Sequence, residues 1–247
     1  MIRLSPEQML ALQDKEMHRF ARRVIEELPS YRPEPIAGRS RDALFGAVNT
    51  ALERAVRYGI ETERGLWLYA NLAVTLGTAF DADPSLAWAR DVLTDPAYLA
   101  DERVDDLWNM QVDWCAETIG EGEYWPVAVL KRLAGMGQPV GYGYIEARLD
   151  LERLWPEKFA IVEERDCQSF IAGAADRAHK LGLRDAHAIF RFTRIAFVLG
   201  FAFDADPLHD WCWPGLRQIG TMEDIRCMDQ VMDDFRAAIM TTQEVSG

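Results

Sequence analysis

The sequence is poor in the residue types on which metal and redox sites depend. Only four histidines and four cysteines occur among 247 residues. None of the cysteines stands in a CxxC pair; they are Cys115, Cys167, Cys212 and Cys227. This usage is typical of reduced thiols rather than of a disulfide scaffold or a zinc site. We therefore expect no metal, no cofactor and a cytoplasmic location.

Long apolar runs and a basic excess are missing as well. No stretch approaches the roughly 20 apolar residues of a membrane-spanning helix, and Glu7, Gln8, Gln13 and Asp14 interrupt the N-terminal segment where a signal peptide would be uniformly apolar. Lys and Arg number 27 against 40 Asp and Glu, a net charge of −13. An acidic excess repels phosphate backbones and anionic lipid. We expect neither a nucleic-acid partner nor a membrane partner.

What the chain does contain is material for a sizeable helical core. Hydrophobic residues make up 49% of it, and no segment shows the sustained alternation of apolar and polar residues that indicates a strand. The sequence predicts an all-α fold, with residues 1–247 forming a single domain.

An internal repeat is the most specific feature of the sequence. Residues 76–84 read LGTAFDADP and residues 199–207 read LGFAFDADP, an offset of 123. At this offset, residues 51–93 align without a gap on 174–216 and share 15 identities in 43 positions. Such agreement predicts a helical bundle built from a tandem duplication of helix–turn–helix units.

Each repeat has the start and stop signals of two helices. A helix over about 41–58, or about 158–181, ends at a glycine that suits the left-handed position beyond a helix. Thr62 or Asp185 then caps a second helix that is apolar nearly all round and is predicted to be central. Asp83 and Asp206 stand before a proline, which predicts a further N-cap in each repeat.

The repeats suggest how the whole chain is divided. We predict a first repeat half over about 1–95, an acidic and aromatic helical connection over 96–157, and a second repeat half over 158–247. Outside the repeats, a helix is predicted to end before Pro29, and others to cover about 100–119, 125–135 and 144–155.

The negative charge is concentrated in that connection. Residues 91–123 hold ten acidic residues against Arg103 alone, a net charge of −9. Clustered charge of one sign attracts an oppositely charged partner, and aromatic residues are common anchors of interfaces. The candidate partner-binding residues are Glu102, Asp106, Trp108, Asp113, Trp114 and Glu117. A merely solvated helix face is the alternative interpretation of the same pattern.

No catalytic motif accompanies these features. The phosphate-binding, nucleophile-elbow, zincin and dinucleotide signatures are all missing from the sequence. His209-Asp210 leaves open one alternative, an all-α metal-dependent hydrolase, but the first repeat has Leu86-Ala87 at these positions. Asp81 and Asp83 form a DxD pair that lacks the further oxygen ligands of a calcium site. We predict that the protein is not an enzyme.

One group of proteins resembles the repeated segment. The resemblance rests on A-x₃-G-I-x-T, LG-x₂-FD-x-DP and W-A-x₃-L, which comprise Ala55, Gly59, Ile60, Thr62, Leu76, Gly77, Phe80, Asp81, Asp83, Pro84, Trp88, Ala89 and Leu93. These motifs are similar to those of small α-helical bacterial proteins encoded beside type VI secretion effector genes. Residues 51–93 match well and 174–216 in part; Ser85 to Ala87 replace an expected proline, and the second copy is extra.

The resemblance implies a cytoplasmic protein that binds a secreted toxin. We expect an immunity protein that neutralises a basic toxin or effector domain, because an acidic partner of a basic protein gains association rate. An adaptor or chaperone that loads the effector for type VI secretion is the alternative that the same resemblance implies.

Overall fold

The computed structural model describes residues 6–31, 39–119, 132–133 and 143–245, with side chains for 15–30, 39–119, 132–133 and 143–238. In these ranges the chain forms eleven α-helices and no strand. The predicted all-α fold is confirmed. None of these helices combines the length and the apolar character needed to cross a membrane.

The helices fall into two series. The first is α1 (Pro6–Tyr31), α2 (Arg41–Arg57), α3 (Glu63–Leu76), α4 (Ala87–Thr94) and α5 (Ala100–Thr118). The second is α6 (Tyr144–Leu154), α7 (Pro156–Ala160), α8 (Glu164–Leu181), α9 (Ala186–Leu199), α10 (Trp213–Leu216) and α11 (Asp224–Val245). Short 3₁₀ turns at Phe80–Ala82, Pro84–Leu86, Phe203–Ala205 and Pro207–Cys212 connect α3 to α4 and α9 to α10.

Capping side chains and a glycine define several helix ends at the predicted positions. The Thr62 hydroxyl accepts a hydrogen bond from the Gly65 amide (3.1 Å), and the Asp185 carboxylate accepts one from the Ala188 amide (2.9 Å), so each caps its helix as predicted. Gly182 ends α8 with φ of +109°, a backbone conformation that side chains disfavour.

α3 and α9 form the centre of the fold. Ten of the 14 residues of each helix are buried, and both helices belong to the same hydrophobic cluster, which extends from α1 to α11. α2 packs on α3, and α8 packs on α9. Uniformly apolar helices are stable only where other elements surround them.

The correspondence between the two series extends beyond residues 51–93 and 174–216. α6 packs on α8 and α9 as α1 packs on α2 and α3. Buried residues recur at the 123-residue offset, with Val24 and Leu28 of α1 matched by Ala147 and Leu151 of α6. Each series therefore begins with a helix that the repeat alignment did not include.

The last helices of the two series also occupy equivalent places. α5 packs on α3 and α4, and α11 packs on α9 and α10. The Asp101 carboxylate accepts a hydrogen bond from the Thr62 hydroxyl (2.8 Å), and Asp224, 123 residues later, accepts one from the Asp185 amide (2.8 Å). α5 thus packs with the first series, although the sequence boundary at residue 95 assigns it to the connection.

The two series meet at the turns that follow α3 and α9. Gly77 and Gly200 lie at this junction with φ of +99° and +108°. A Cβ atom at Gly200 would stand 3.3 Å from the Leu76 carbonyl oxygen, and one at Gly77 would stand 3.5 Å from the Leu199 carbonyl oxygen. Glycine is needed here both for the backbone conformation and for the close approach of the two turns.

Two helix predictions are corrected by the structure. α1 continues through Pro29 to Tyr31, because proline two residues before a helix end disrupts only the last turn. The segment 158–181 contains two helices, since α7 ends at Ala160 and α8 begins at Glu164. The predicted helix over 125–135 lies almost wholly outside the described residues.

The apolar residues that follow the two DP turns are not all in the core. Leu93 and Leu216 are buried, whereas Trp88 and Trp211 are half-buried and pack against the edge of the core. α4 begins at Ala87, so the prolines after Asp83 and Asp206 begin short 3₁₀ turns rather than α-helices.

Candidate protein-binding surface

The candidate surface lies on α5, which several contacts hold against the body of the protein. Asp105 of α5 forms an ion pair with Arg64 of α3 (2.5 Å), in addition to the contact of Asp101 with Thr62. The Glu102 carboxylate accepts a hydrogen bond from the Leu99 amide (2.9 Å) and so closes the first turn of the helix. α5 is therefore a fixed platform for its outer face.

Three carboxylates on that face have no counter-charge in the part of the chain that the structure describes. Asp106, Asp113 and Glu117 are exposed, and none forms a hydrogen bond or ion pair within the described chain. Their spacing of seven and four residues places them in one stripe along the helix, and Met110, 38% exposed, lies in the same stripe. We call Asp106, Met110, Asp113 and Glu117 the α5 stripe.

The predicted binding residues are divided between this stripe and the interior. Glu102 is exposed at one end of the stripe, but its carboxylate also serves the helix start. Trp108 is half-buried, with its ring 6.2 Å from that of Trp67 on α3. It is two residues from Asp106 and so lies on nearly the opposite side of α5 from the stripe.

Trp114 is a correction to the predicted site. Its side chain is only 8% exposed and packs in the core, with its ring 6.2 Å from the ring of Trp155. On α5, the buried face is made of Val104, Leu107, Gln111, Trp114 and Thr118. Trp114 belongs to this inner face and does not contact a partner in this conformation, because neighbouring helices cover it.

On α11, the equivalent helix of the second series, the exposed carboxylates are paired with other side chains of the protein. On α11, Asp229 forms an ion pair with Arg191 and Asp233 one with Arg236, and Asp234 accepts a hydrogen bond from Gln230. Carboxylates are thus compatible with this place in the fold, but on α11 they have partners within the chain. Among the described residues, the carboxylates of the α5 stripe have none.

The region around His209 has different properties. The imidazole is buried, and its Nε2 lies 3.3 Å from the Leu199 carbonyl oxygen. Burial lowers the pKa of His209 to about 4, which keeps the ring neutral. Among the described residues, no group of three or more side chains of His, Cys, Asp or Glu is arranged to hold a metal ion.

The DxD carboxylates are already occupied within the protein. Asp81 forms an ion pair with Arg54 (2.6 Å) and accepts a hydrogen bond from the Tyr58 hydroxyl (2.9 Å). Asp83 accepts hydrogen bonds from the Ser85 amide and from the Phe201 amide. These two carboxylates stabilise the turns in which they lie, and Asp83 has the predicted capping role.

A buried lysine is a feature that the sequence did not indicate. The Lys158 ammonium donates a hydrogen bond to the Phe197 carbonyl oxygen (2.5 Å) and lies 4.6 Å from the centre of the Phe197 ring. The rings of Trp114 and Trp155 lie 6.0 and 5.3 Å away. Burial lowers the pKa of Lys158 to about 8. No motif surrounds this lysine in the sequence, so only the folded chain reveals its environment.

Two open depressions border α1. A groove of about 1,130 Å³ between α1 and α2 carries acidic and basic side chains in similar number, so it offers no charge preference. A pocket of about 400 Å³ lies between α1 and α3 and is lined by Phe20, Arg23, Val24, Glu27, Glu63, Arg64 and Trp67. This α1–α3 pocket adjoins the platform of α5 through Arg64 and Trp67.

Comparison of the chain with known proteins adds no relative to this description. No protein family matches it, and neither the curated proteins nor the solved structures include a match.

Proposed function

We propose that the protein acts by binding a basic protein partner through the outer face of α5. The observation that carries the proposal is the α5 stripe, in which three exposed carboxylates have no counter-charge within the described chain. On the equivalent helix α11, carboxylates are paired. A charged stripe without internal partners is available to an external cation.

The stripe is suited to the physics of protein association. Exposed carboxylates raise the rate at which a basic partner is encountered, an effect that salt screens over about 10 Å at 0.1 M. Met110 supplies an apolar contact in the middle of the stripe, where a partner would exclude water. Tyr98 and Leu99, 49% and 72% exposed, extend the apolar surface at the start of the helix.

The biological role that we propose is neutralisation of a secreted bacterial toxin in the cytoplasm. Two considerations support it: the resemblance of residues 51–93 to proteins encoded beside type VI secretion effector genes, and the basic character expected of a partner for the α5 stripe. Loading of an effector as an adaptor requires the same kind of contact, so a cellular experiment has to separate the two roles.

Charge reversal on α5 tests the proposed surface. The partner is first captured from the native host with the tagged protein, identified and purified. The triple variant Asp106→Lys, Asp113→Lys, Glu117→Lys is then compared with the wild type by surface plasmon resonance. We expect association to slow by at least about tenfold at low salt and by much less near 1 M salt, because the attraction acts on the encounter.

The matched control carries the same change in net charge on α11 and the loop before it. Glu223→Lys, Asp229→Lys and Asp233→Lys alter the loop before α11 and α11 itself, and should leave the association rate within about twofold of the wild type. Equal slowing in both triple variants would mean that only net charge matters, and the α5 stripe would be rejected as the interface.

Growth measurements distinguish immunity from loading. Cells that produce the partner without a secretion system should be protected by the wild-type protein and not by the α5 variant. If the wild type gives no protection but its loss abolishes export of the partner, the adaptor role is the correct one.

A further inference from the structure

We infer that the α1–α3 pocket binds an arginine side chain presented by the protein partner. The inference rests on the proposed function, since it specifies what a basic partner of α5 would insert into a neighbouring pocket. Two observations support it. The first is the set of side chains that line the pocket, and the second is an arginine–carboxylate ion pair at the equivalent place in the second series.

The equivalent of Glu27 in the second series already holds an arginine. Glu27 on α1 corresponds to Asp150 on α6 at the 123-residue offset. Asp150 forms a bidentate ion pair with Arg194 of α9, with N–O distances of 2.5 and 2.7 Å. Both side chains are 8% exposed. In the first series, the position of Arg194 is taken by Asn71. The equivalent position therefore supplies no guanidinium to Glu27.

Glu27 has room and capacity for such a group. Its carboxylate accepts one hydrogen bond, from the Trp67 indole N–H (3.0 Å), and forms no ion pair within the described chain. The other acidic and basic side chains of the pocket are paired, Arg23 with Glu63 (2.9 Å) and Arg64 with Asp105. A carboxylate with free acceptor sites binds the planar fork of a guanidinium better than it binds the point charge of an ammonium.

The walls of the pocket suit the flat face of a guanidinium. Phe20 and Trp67 line it, and the Arg23 guanidinium already lies over the Phe20 ring at 5.2 Å from its centre. Arginine is the cation that stacks most often on aromatic rings. The volume of about 400 Å³ exceeds what one side chain needs and lies within the usual range for ligand pockets, about 300–1,000 Å³.

The pocket borders the helix of the proposed interface. Asp105 of α5 pairs with Arg64 at the rim, and the ring of Trp67 contacts that of Trp108 on α5. Successive residues of an α-helix are rotated by about 100°, so Trp108 and the α5 stripe lie on nearly opposite sides of α5. A partner must therefore extend around α5 to place one arginine in the pocket while its other basic residues face the stripe.

The test uses N-acetyl-arginine-amide as the probe and needs no knowledge of the partner. The indole N–H resonance of Trp67, assigned with a Trp67→Phe variant, is followed by two-dimensional ¹⁵N–¹H NMR during titration of the full-length protein at about 0.15 M salt. We expect a saturable shift at millimolar probe, a severalfold weaker effect with N-acetyl-lysine-amide, and none with the uncharged citrulline analogue. The Glu27→Gln variant should lose the shift, whereas Glu26→Gln, one residue away on the exposed side of α1, should retain it.

An equal response to arginine and citrulline, no response to arginine, or full retention in Glu27→Gln would overturn the inference. Equal binding of the lysine probe would overturn its preference for arginine. These results leave the proposed function intact, because that proposal fails only if charge reversal on the α5 stripe leaves association with the purified partner unchanged or slows it no more than the control triple variant does.

Discussion

Asp83 and Asp206 each accept a backbone hydrogen bond from the opposite series across the junction of the two series. One oxygen of Asp83 accepts from the Ser85 amide of its own turn (2.8 Å), and the other accepts from the Phe201 amide of the opposite series (3.0 Å). Asp206 does the same, with the Leu208 amide (2.9 Å) and the Thr78 amide (2.7 Å). Each buried carboxylate thus caps one turn and joins it to the other.

Removal of this junction should destabilise the whole protein. Asp83→Ala loses a cap worth about 1 kcal/mol and a charged hydrogen bond worth about 1.5–3 kcal/mol, so we expect the free energy of unfolding to fall by about 2–4 kcal/mol. Urea denaturation measures the change. Asp95→Ala, which removes one exposed bond to the Ala97 amide, is the control and should cost about 1 kcal/mol or less. Similar losses in both variants would refute the role of the junction.

Loss of the carboxylate charge from the buried pair of Asp150 and Arg194 should destabilise the protein. Asp150→Asn breaks its ion pair with Arg194, in which both side chains are 8% exposed, and breaking a buried pair typically costs about 3–5 kcal/mol. The equivalent Glu27→Gln alters an exposed residue and should cost about 1 kcal/mol or less. Thermal and urea unfolding of the two variants provide the comparison, and equal stability of the two would contradict the assigned burial.

Lys158 should make stability depend on alkaline pH. Its pKa is about 8 in the folded protein against 10.5 for a free side chain. Between these values the unfolded chain binds a proton that the folded chain does not, so stability rises with pH. We expect the unfolding free energy of the wild type, minus that of Lys158→Met, to rise by about 2 kcal/mol from about pH 7.5 to about pH 10.

The difference between the two proteins is the informative quantity for Lys158. Burial raises the pKa values of the Cys212 and Cys227 thiols, which lowers stability at high pH in the wild type and the variant alike. Subtraction removes that contribution. A difference that stays constant across the pH range would show that the ammonium is not held in a dry site.

His209 should make the free energy of unfolding depend on pH in the acidic range. Burial, and to a smaller extent Arg39, lowers its pKa to about 4 from 6.5. Between these two values the unfolded chain binds more protons, so stability falls as the pH falls. Relative to His209→Gln, the wild type should lose about 2–3 kcal/mol between about pH 7 and about pH 4 in urea denaturation. A difference without pH dependence would place the imidazole in contact with water.

Features that depend on neighbours in the sequence were predictable. The caps at Thr62, Asp185, Asp83 and Asp206 follow from short acceptor side chains before a helix or turn, and the glycines mark the helix ends. The apolar character of α3 and α9 identifies the centre of the fold. Each of these signals acts within about one helical turn, and for this reason the sequence alone carries it.

The candidate site was predictable only in part. The seven- and four-residue spacing of Asp106, Asp113 and Glu117 places these carboxylates in one stripe on any α-helix. The same helix carries Trp114, and the frequency of aromatic residues at interfaces favours its assignment to the same surface. Its side chain is covered instead by Trp155 and by the segment that carries Lys158, both from a distant part of the chain.

The sequence by itself therefore determined the helical class, the repeat, the caps and the stripe of charge. Only the tertiary structure decided that α5 packs with the first series, that Lys158 is buried among aromatic rings, and that Asp150 pairs with an arginine whereas Glu27 has none among the described residues. It also decided that the second oxygen of Asp83 binds the Phe201 amide, 118 residues away. Helical periodicity states which side chains share a face, but burial depends on what packs against that face, and distant parts of the chain supply those contacts.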